Sequence, residues 1–479
     1  MISWRNISCA LGVLLFALSG LMLIPAMVDV FQGSDTYAYF IISGVFCCFL
    51  GGIFYFSCRP EGNIDFSPRD CVLALLFSWF SIPPLAALPF LLSPFQLSPA
   101  NCLFEATSLF TTTGATVICD VKNFSDGFLL WRSLLQMFGG IFFMISCVYV
   151  FPRIKSIHVF SPERLVSGNN MDMGMCQLKE ILAIYLSLSF IASLLFISQG
   201  TPALDSLCYS FSALSTGGAI PDDGCAENLR EMIWLLPILM FIGGCPMSLA
   251  ANLFTRKSNI RDNSQFRYYS ISLLVLIVLL CLYAFFLLPH HSAILEIFGK
   301  IFFLTISSVT TTGIGLDASG DFDQFLTAAL YVLGFVGGCY GSCSGGIKIF
   351  RFIIVFRLIR SYFVRATRRN AVCVSAYAGD RLTEIDATEL ISYFSCYAIL
   401  ALLFSLLLVA DGMNFGDAVG AVMTSMNNNG PFLGLQRATP SEIAAFTATS
   451  KAIFALSMIA GRVGFILFIM VVTKSFWRK

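Results

Sequence analysis

Charged side chains are scarce in this sequence. Asp, Glu, Lys and Arg make up 12% of its 479 residues, whereas apolar residues make up 57%. A soluble globular domain carries about 25% charged residues, so the composition excludes that class of protein. The sequence instead predicts an all-α protein that crosses a membrane several times.

Motifs for catalysis and for metal binding are also missing. The three histidines, His158, His290 and His291, form no cluster, and the 17 cysteines include no C-x2-C pair with histidines at zinc spacing. The sequence contains no Walker A, H-E-x-x-H or G-x-S-x-G motif. We therefore expect no enzymatic activity, no organic cofactor and no nucleic-acid partner.

Long apolar runs are present instead. About 20 apolar residues cross the hydrocarbon core of a bilayer. The candidate spans lie at 7–30, 37–56, 71–92, 126–151, 180–199, 230–254, 269–289, 322–361, 387–410 and 446–473. The first is too long for the core of a signal peptide and the second follows closely, so we expect both to be retained. The eighth is too long for one span.

Lys and Arg are concentrated in alternate loops between these spans. Cytoplasmic loops retain basic residues, and the basic loops all lie on one side if the chain begins inside. We therefore expect both termini in the cytoplasm. Cys119 and Cys225 fall in loops on the opposite side, and the sequence leaves open whether they form a disulfide. The basic segment 348–381 is either a determinant of topology or a contact for membrane lipids with anionic headgroups.

A polar sequence recurs four times between the spans. TSLFTTTG ends at Gly114, FSALSTGG at Gly218, ISSVTTTG at Gly313 and MTSMNNNG at Gly430. A Gly-Gly pair follows each of the first three, beginning at Gly139, Gly243 and Gly337, and Gly461 is a looser counterpart after the fourth. Such a period indicates tandem units of helix, re-entrant segment and helix. We expect two N-terminal helices at 1–68 and four units around one pore at 69–165, 166–262, 263–380 and 381–479.

These polar turns suit the conduction of a cation. Irregular backbone at membrane depth is tolerated only where it is buried in protein or lines a water-filled path. A ring of backbone carbonyls can replace the hydration shell of a monovalent cation, and glycine allows the backbone angles that such a turn needs. The apolar segment before each turn would be a half-helix whose negative C-terminal end favours a cation. The alternative, close packing of small residues between helices, does not explain four aligned copies.

The residues resemble the Trk/Ktr/HKT superfamily of potassium transporters, and most closely its bacterial Trk-type membrane subunit. The resemblance covers almost the whole chain and is carried by the four turns, WRSLLQMFGG at 131–140, GGCYGSCSGGIK at 337–348 and the GR pair at 461–462. It implies uptake of K⁺ across the bacterial inner membrane. It also implies a selectivity filter formed by Thr112, Thr113, Gly114, Thr216, Gly217, Gly218, Thr311, Thr312, Gly313, Asn428, Asn429 and Gly430. Glycine at the last position of all four turns goes with a preference for potassium in this superfamily.

The eighth span is unusually rich in glycine between Gly334 and Gly346, which predicts a break or kink in the helix. Close helix packing is one interpretation. The resemblance implies the other, a gate below the filter formed by Gly341, Ser342, Cys343, Ser344, Gly345 and Gly346 together with Arg462. A charge such as Arg462 within a span is costly and suggests function. For Glu105, in the first half-helix, we expect a contact that anchors a helix.

The sequence departs from the family pattern in the gate, where SCSGG replaces STGGG, and after Arg462, where the usual acidic residue is missing. The resemblance further implies a homodimer with one pore per protomer and a cytoplasmic nucleotide-binding regulatory subunit. Two other functions stay open: a sodium-permeable carrier, or a carrier that couples transport to H⁺ or Na⁺. Alternating access predicts inverted halves, whereas these repeats run parallel, which favours a channel-like filter.

Overall fold

The structure is a computed structural model. It describes residues 2–58, 66–119, 121–151, 171–221, 232–254, 263–287, 294–315, 323–368, 376–377, 380–382, 384–430, 432–433 and 436–478. Most of these residues are helical, as the composition predicts. Cys225 and the three histidines lie outside the described residues, so whether Cys119 and Cys225 form a disulfide stays open.

Several of the helices are long and apolar. They are α1 (Trp4–Gln32), α2 (Tyr37–Ser57), α3 (Pro68–Ala86), α6 (Asp126–Ile145), α7 (Met171–Ser198), α11 (Ser264–Leu287) and α15 (Glu384–Ala410). Within the described residues, seven helical stretches are long and apolar enough to cross a membrane, or up to nine if each of two bent pairs is one span. Their outward faces expose large apolar side chains such as Phe49, Phe190 and Phe286, which are compatible with lipid.

Four shorter helices lead into the polar turns. They are α5 (Pro99–Phe110), α8 (Ala203–Leu214), α12 (Ile294–Val309) and α16 (Phe415–Asn427). The sequence of α5 shows why it begins where it does: Ser98 accepts a hydrogen bond from the Asn101 amide at 3.3 Å, and Pro99 occupies the first turn. The helices predicted before the turns are therefore present.

Three predicted spans are not single straight helices. The segment 230–254 contains α9 (Leu235–Gly243) and α10 (Met247–Phe254), and 446–473 contains α18 (Ala448–Val463) and α19 (Phe465–Val472); the two pairs bend by 95° and 105°. Each of these two predicted spans is therefore divided into two helices. Gly243, Gly244 and Pro246 interrupt the first pair, and Gly464, at φ +95°, interrupts the second.

The third interrupted span contains α13 (Gln324–Leu333) and α14 (Ile349–Thr367), separated by residues without helical structure. This confirms the break predicted from the glycine content. The remaining elements are short: α4 (Leu88–Leu92), α17 (Pro440–Ala445), α20 (Lys474–Trp477), a 3₁₀ turn at Val121–Asn123 and a π-helical turn at Ser146–Val150. Two antiparallel hairpins pair β1 (Ala376–Tyr377) with β2 (Asp380–Arg381) and β3 (Phe432–Leu433) with β4 (Gln436–Arg437).

The two N-terminal helices are fixed to each other and to α6. A Cβ at Gly12 would lie 2.8 Å from the Tyr55 nitrogen, so α1 and α2 pack backbone to backbone. The buried carboxylate of Asp29, near the end of α1, accepts hydrogen bonds from the Gly127 amide at 2.8 Å and the Ser125 hydroxyl at 3.2 Å. It thereby caps the N-terminus of α6.

Candidate functional site

The four polar turns end their helices by the same hydrogen-bonding pattern. In the first, the Thr113 amide donates to the Ser108 carbonyl at 2.8 Å and the Thr112 amide donates to the Leu109 carbonyl at 3.0 Å. The same two amide-to-carbonyl bonds recur in the other turns. They run from Gly217 to Ser212 and from Thr216 to Ala213 in the second turn, from Thr312 to Ser307 and from Thr311 to Ser308 in the third, and from Asn429 to Thr424 and from Asn428 to Ser425 in the fourth. This is the Schellman arrangement, which normally requires a left-handed residue after the helix.

That left-handed residue is not a glycine in any of the four turns. The φ angles are +51° at Thr112, +52° at Thr216, +57° at Thr311 and +53° at Asn428. A β-branched residue with positive φ is an outlier that costs of order 1–3 kcal/mol and persists only where its surroundings hold it. The sequence did not predict this strain, because threonine is a poor indicator of a left-handed turn.

The glycines at the ends of the turns also have positive φ, as predicted from the sequence. The angles are +76°, +74°, +72° and +71° at Gly114, Gly218, Gly313 and Gly430. Each turn therefore contains two residues with positive φ, separated by one residue.

Each turn contacts the next, and the fourth contacts the first. A Cβ at Gly114 would lie 2.3 Å from the Gly217 carbonyl oxygen, one at Gly218 would lie 1.9 Å from that of Thr312, and one at Gly313 would lie 3.0 Å from the Gly430 nitrogen. The ring is closed by the first and fourth turns: the Gly430 amide donates to the Thr113 carbonyl at 2.8 Å, and Asn428 Nδ2 donates to Thr113 Oγ1 at 3.0 Å.

The glycines that follow the turns pack against the ends of the half-helices. A Cβ would lie 1.8 Å from the Phe110 carbonyl oxygen if added at Gly139, and 2.5 Å from that of Leu214 if added at Gly243. At Gly461 it would lie 2.1 Å from the Met426 oxygen. These carbonyls occupy the same position in their turns, so Gly461 is the spatial equivalent of the two Gly-Gly sites. In the third unit, Gly337 instead lies within the break between α13 and α14, where an added Cβ would lie 2.4 Å from the Gly345 carbonyl oxygen.

Several buried oxygens in the turns have no hydrogen-bond partner within the described residues. They include Thr112 Oγ1, Thr216 Oγ1 and Asn428 Oδ1. A buried polar atom without a partner usually indicates a water molecule or an ion. The equivalent hydroxyl of the third turn differs, because Thr311 Oγ1 accepts a hydrogen bond from the Gly345 amide at 2.6 Å.

The residues between α13 and α14, from Gly334 to Lys348, form what we call the glycine-rich segment. Its amides reach three of the four units: Gly345 donates to Thr311 as above, Gly346 donates to the Asn427 carbonyl at 2.9 Å, and Cys343 donates to the Gly243 carbonyl at 3.2 Å. The segment is thus attached directly beside the ring of turns.

Arg462 connects the glycine-rich segment to the remaining unit. Its guanidinium is buried and donates from Nε to the Thr111 carbonyl at 2.5 Å and from Nη1 to the Cys343 carbonyl at 2.7 Å. The Cζ atom lies 4.8 Å from the centre of the Phe143 ring. The structure therefore brings Arg462 together with Cys343, which were predicted to belong to one site.

Lys348 is a member of this site that the sequence analysis did not single out. Its side chain is buried, with Nζ 2.5 Å from the Ser344 carbonyl oxygen and 3.3 Å from that of Cys339. The backbone φ of Lys348 is +77°. The available signal was a lysine that follows a glycine-rich stretch within a predicted span, with only Ile347 between it and Gly346.

Comparison with known proteins places the chain in a family. A model of the TrkH family of cation transport proteins matches residues 37–219 and 275–478. The chain belongs to the TrkH family. The matched residues include all four turns. The match confirms the resemblance noted in the sequence.

Individual TrkH-family proteins are similar along nearly their whole length. The Trk system potassium uptake protein TrkI of Halomonas elongata is 30% identical over 432 residues, covering 87% of this chain and 85% of that protein. TrkH of Salmonella typhimurium is 26% identical over 487 residues, covering 99% of this chain and all of that protein. The crystal structure of the potassium transporter TrkH from Vibrio parahaemolyticus matches with a TM-score of 0.89, 26% identity and full coverage of both chains. The chain is therefore a helical polytopic membrane protein.

Two polar side chains of α6 hold the first and second turns of this TrkH-family chain. Arg132 and Glu105 form a buried ion pair with 3.2 Å between Nε and Oε1, and Glu105 also accepts from the Val117 amide at 3.0 Å. This agrees with the anchoring contact expected for Glu105. Gln136 bonds both backbone groups of Ala219, donating to its carbonyl at 2.9 Å and accepting from its amide at 3.2 Å.

Proposed function

We propose that this chain takes up potassium across the bacterial cytoplasmic membrane through one central selectivity filter. The filter is formed by the four turns, at residues 112–114, 216–218, 311–313 and 428–430. The transported ion is K⁺, and it moves down its electrochemical gradient without chemistry performed by this chain.

The closed ring of equivalent turns is the observation that carries this proposal. Four segments with the same helix-terminating bonds and the same pair of left-handed residues contact one another in sequence order and close on the first. Irregular backbone of this kind is tolerated within a membrane where it lines a path for water or ions. The backbone carbonyls of the four turns would give such a path polar ligands that carry no fixed charge.

Two considerations favour potassium over sodium, and both come from related proteins. Glycine stands at the end of all four turns, the pattern that accompanies potassium preference in the resembling superfamily. The similar proteins are named as potassium uptake proteins.

The glycine-rich segment is proposed as the gate, with Gly341, Ser342, Cys343, Ser344, Gly345, Gly346 and Arg462 as its residues. It carries positive φ angles at Gly337, Gly341 and Gly346, which allow a compact irregular path that helix cannot follow. Its bonds to Thr311 and Asn427, and those of Arg462, hold it beside the filter. Moving the segment would break these bonds without disturbing the long helices.

The proposed filter also implies how the chain is divided, how it is oriented in the membrane and which partners it binds. The chain is divided into two N-terminal helices and four pore units with the boundaries given above, and both termini face the cytoplasm. The similar proteins belong to Trk systems, so we propose a cytoplasmic nucleotide-binding regulatory subunit and a second copy of this chain as partners.

The test is cation flux into proteoliposomes that contain the purified chain, under an imposed inside-negative potential. Uptake of potassium and rubidium in preference to sodium and lithium, without ATP, is the expected result. Uptake that prefers sodium would contradict the ion assignment. A requirement for a proton or sodium gradient would favour the ion-coupled alternative, and equal uptake of all four ions would contradict the filter.

A further inference from the structure

The ammonium of Lys348 lies in the interior of the glycine-rich segment and is surrounded by oxygen atoms of that same segment. Nζ lies 2.5 Å from the Ser344 carbonyl oxygen, 3.2 Å from Ser344 Oγ, 3.3 Å from Ser342 Oγ and 3.3 Å from the Cys339 carbonyl oxygen. The residue is only 4% exposed. Two carbonyls and two hydroxyls thus replace the water that would hydrate this charge.

No carboxylate lies within ion-pair distance of Lys348 in the part of the chain that the structure describes. The Phe143 ring also lies close to this ammonium, with its centre 5.1 Å from Nζ. The same ring lies 4.8 Å from the guanidinium carbon of Arg462. A ring can attract a cation over its face, but the direct ligands of the ammonium are neutral oxygens.

Neutral carbonyl and hydroxyl oxygens are the ligands by which membrane proteins replace the hydration shell of a monovalent cation. An ammonium group and a dehydrated potassium ion carry the same charge and are similar in size. We propose that the oxygens of Cys339, Ser342 and Ser344 form a monovalent-cation site whose resident ion is the tethered ammonium of Lys348. We call this arrangement the lysine cage.

The backbone at Lys348 is consistent with a side chain that is held in place. Its φ of +77° lies in a region that non-glycine residues avoid, and such strain persists where surrounding contacts determine the conformation. Lys348 is also the last residue before α14. The ammonium therefore ties the end of the segment, at Lys348, back to its middle, at Ser342 and Ser344.

A covalently attached ion has a consequence for the segment. A free ion would leave the cage when the potassium concentration fell, whereas the lysine side chain keeps the cage filled at every concentration. The folded form of the segment is then independent of the ion it is proposed to gate. This consequence depends on the proposed gate, but the lysine cage itself can be tested without any transport.

The experiment compares two substitutions in the purified full-length chain. K348A removes the ammonium and opens the cage, whereas K348M removes the charge and still fills much of the space. The thermal unfolding midpoint is measured in potassium chloride and in choline chloride at equal ionic strength. Ligand that binds only the folded state raises this midpoint, so we expect potassium to raise that of K348A by about 2–4 °C more than that of the wild type.

Controls separate the lysine cage from the filter, which also binds potassium in the proposed function. The wild type and K300A, which removes a partly exposed lysine of α12, report the increment due to the filter alone. Potassium should raise the unfolding midpoint of K348M by the same amount as that of the wild type, although K348M should unfold at a lower temperature than the wild type in both salts. Propylammonium, which supplies the three carbons and the ammonium that K348A removes, should raise the midpoint of K348A and not that of K348M.

Three results would overturn the lysine cage. The first is that potassium raises the unfolding midpoint of K348A and of the wild type equally. The second is that potassium raises the midpoint of K348M as much as that of K348A. The third is that K348A fails to fold even in high potassium. None of these results depends on ion flux. Loss of the flux selectivity described above would instead contradict the filter and leave the lysine cage standing.

Discussion

At the scale of single residues, the space around Gly114 determines what can replace it. Its φ of +76° is unfavourable for any other residue, and a Cβ there would lie 2.3 Å from the Gly217 carbonyl oxygen of the next turn. G114S should therefore move that carbonyl and lower the preference for potassium over sodium by about tenfold, or about 1.4 kcal/mol. Relative permeabilities in the proteoliposome flux assay test this. Unchanged permeabilities would contradict the assignment of Gly114 to the filter.

The matched control is G52S, because a Cβ at Gly52 meets no atom within 4 Å.

The same geometry ranks alanine substitutions within the ring. The nearest atom would lie at 1.9 Å in G218A, 2.3 Å in G114A, 3.0 Å in G313A and 3.4 Å in G430A. Since the strain from positive φ is common to all four, selectivity should be lost in that order, and G430A should retain the most.

Arg462 contributes through two hydrogen bonds that join different units. It links the Thr111 carbonyl of the first turn to the Cys343 carbonyl of the glycine-rich segment, and hydrogen bonds to a charged group contribute about 1.5–3 kcal/mol each. R462Q should loosen the segment and raise basal potassium flux by about tenfold. The control is R360Q, at an exposed position of α14. Wild-type flux through a folded R462Q protein would show that Arg462 has only a structural role.

At the scale of elements, the glycine-rich segment is an irregular connection that is hydrogen-bonded beside the turns. Deletion of Gly341–Gly345 removes the amide bonded to Thr311 and the carbonyl bonded to Arg462. If the segment obstructs the path, the deletion should raise basal flux severalfold while the long helices remain folded. Circular dichroism and gel filtration check the fold. Flux that falls or stays level in a folded deletion variant would exclude the gate.

The buried pair of α5 and α6 predicts an effect on stability. Removal of one partner of a buried ion pair leaves an unpaired charge and costs about 3–5 kcal/mol, whereas replacement of both by apolar residues is often nearly neutral. E105L should therefore lower the thermal unfolding midpoint more than the double variant E105L/R132L does. Losses that simply add in the double variant would indicate that Glu105 acts through its bonds to Thr116 and Val117 and not through Arg132.

The elements also show what could be predicted from the sequence. The short helices and the left-handed glycines could be predicted, because apolar periodicity and glycine report directly on local backbone. The left-handed angle at Thr112 and its equivalents could not, because contacts between the turns override the preference of threonine. The bends at Gly244 and Gly464 could not be predicted from hydropathy either, because a straight span and a broken span have the same apolar composition.

The lysine cage was missed for a related reason. A lysine beside a glycine run resembles the start of a cytoplasmic loop, and hydropathy alone places it at the membrane surface. Only the fold shows that the chain turns back and covers Nζ with the oxygens of Ser342 and Ser344. Chain segments that form their own ligand shell leave no spacing pattern that a single sequence reveals.

At the scale of the whole molecule, the orientation of the chain can be tested through Cys119. Its side chain is exposed, and the distribution of Lys and Arg predicts that it faces away from the cytoplasm. In a C225S background, a membrane-impermeant maleimide should label intact spheroplasts, and C119S should abolish that labelling. C58S should not, because the same topology places Cys58 on the cytoplasmic side. Labelling of Cys119 only after permeabilisation would invert the topology, so that the half-helices would enter the membrane from the cytoplasm and the glycine-rich segment would lie on the outer side of the filter.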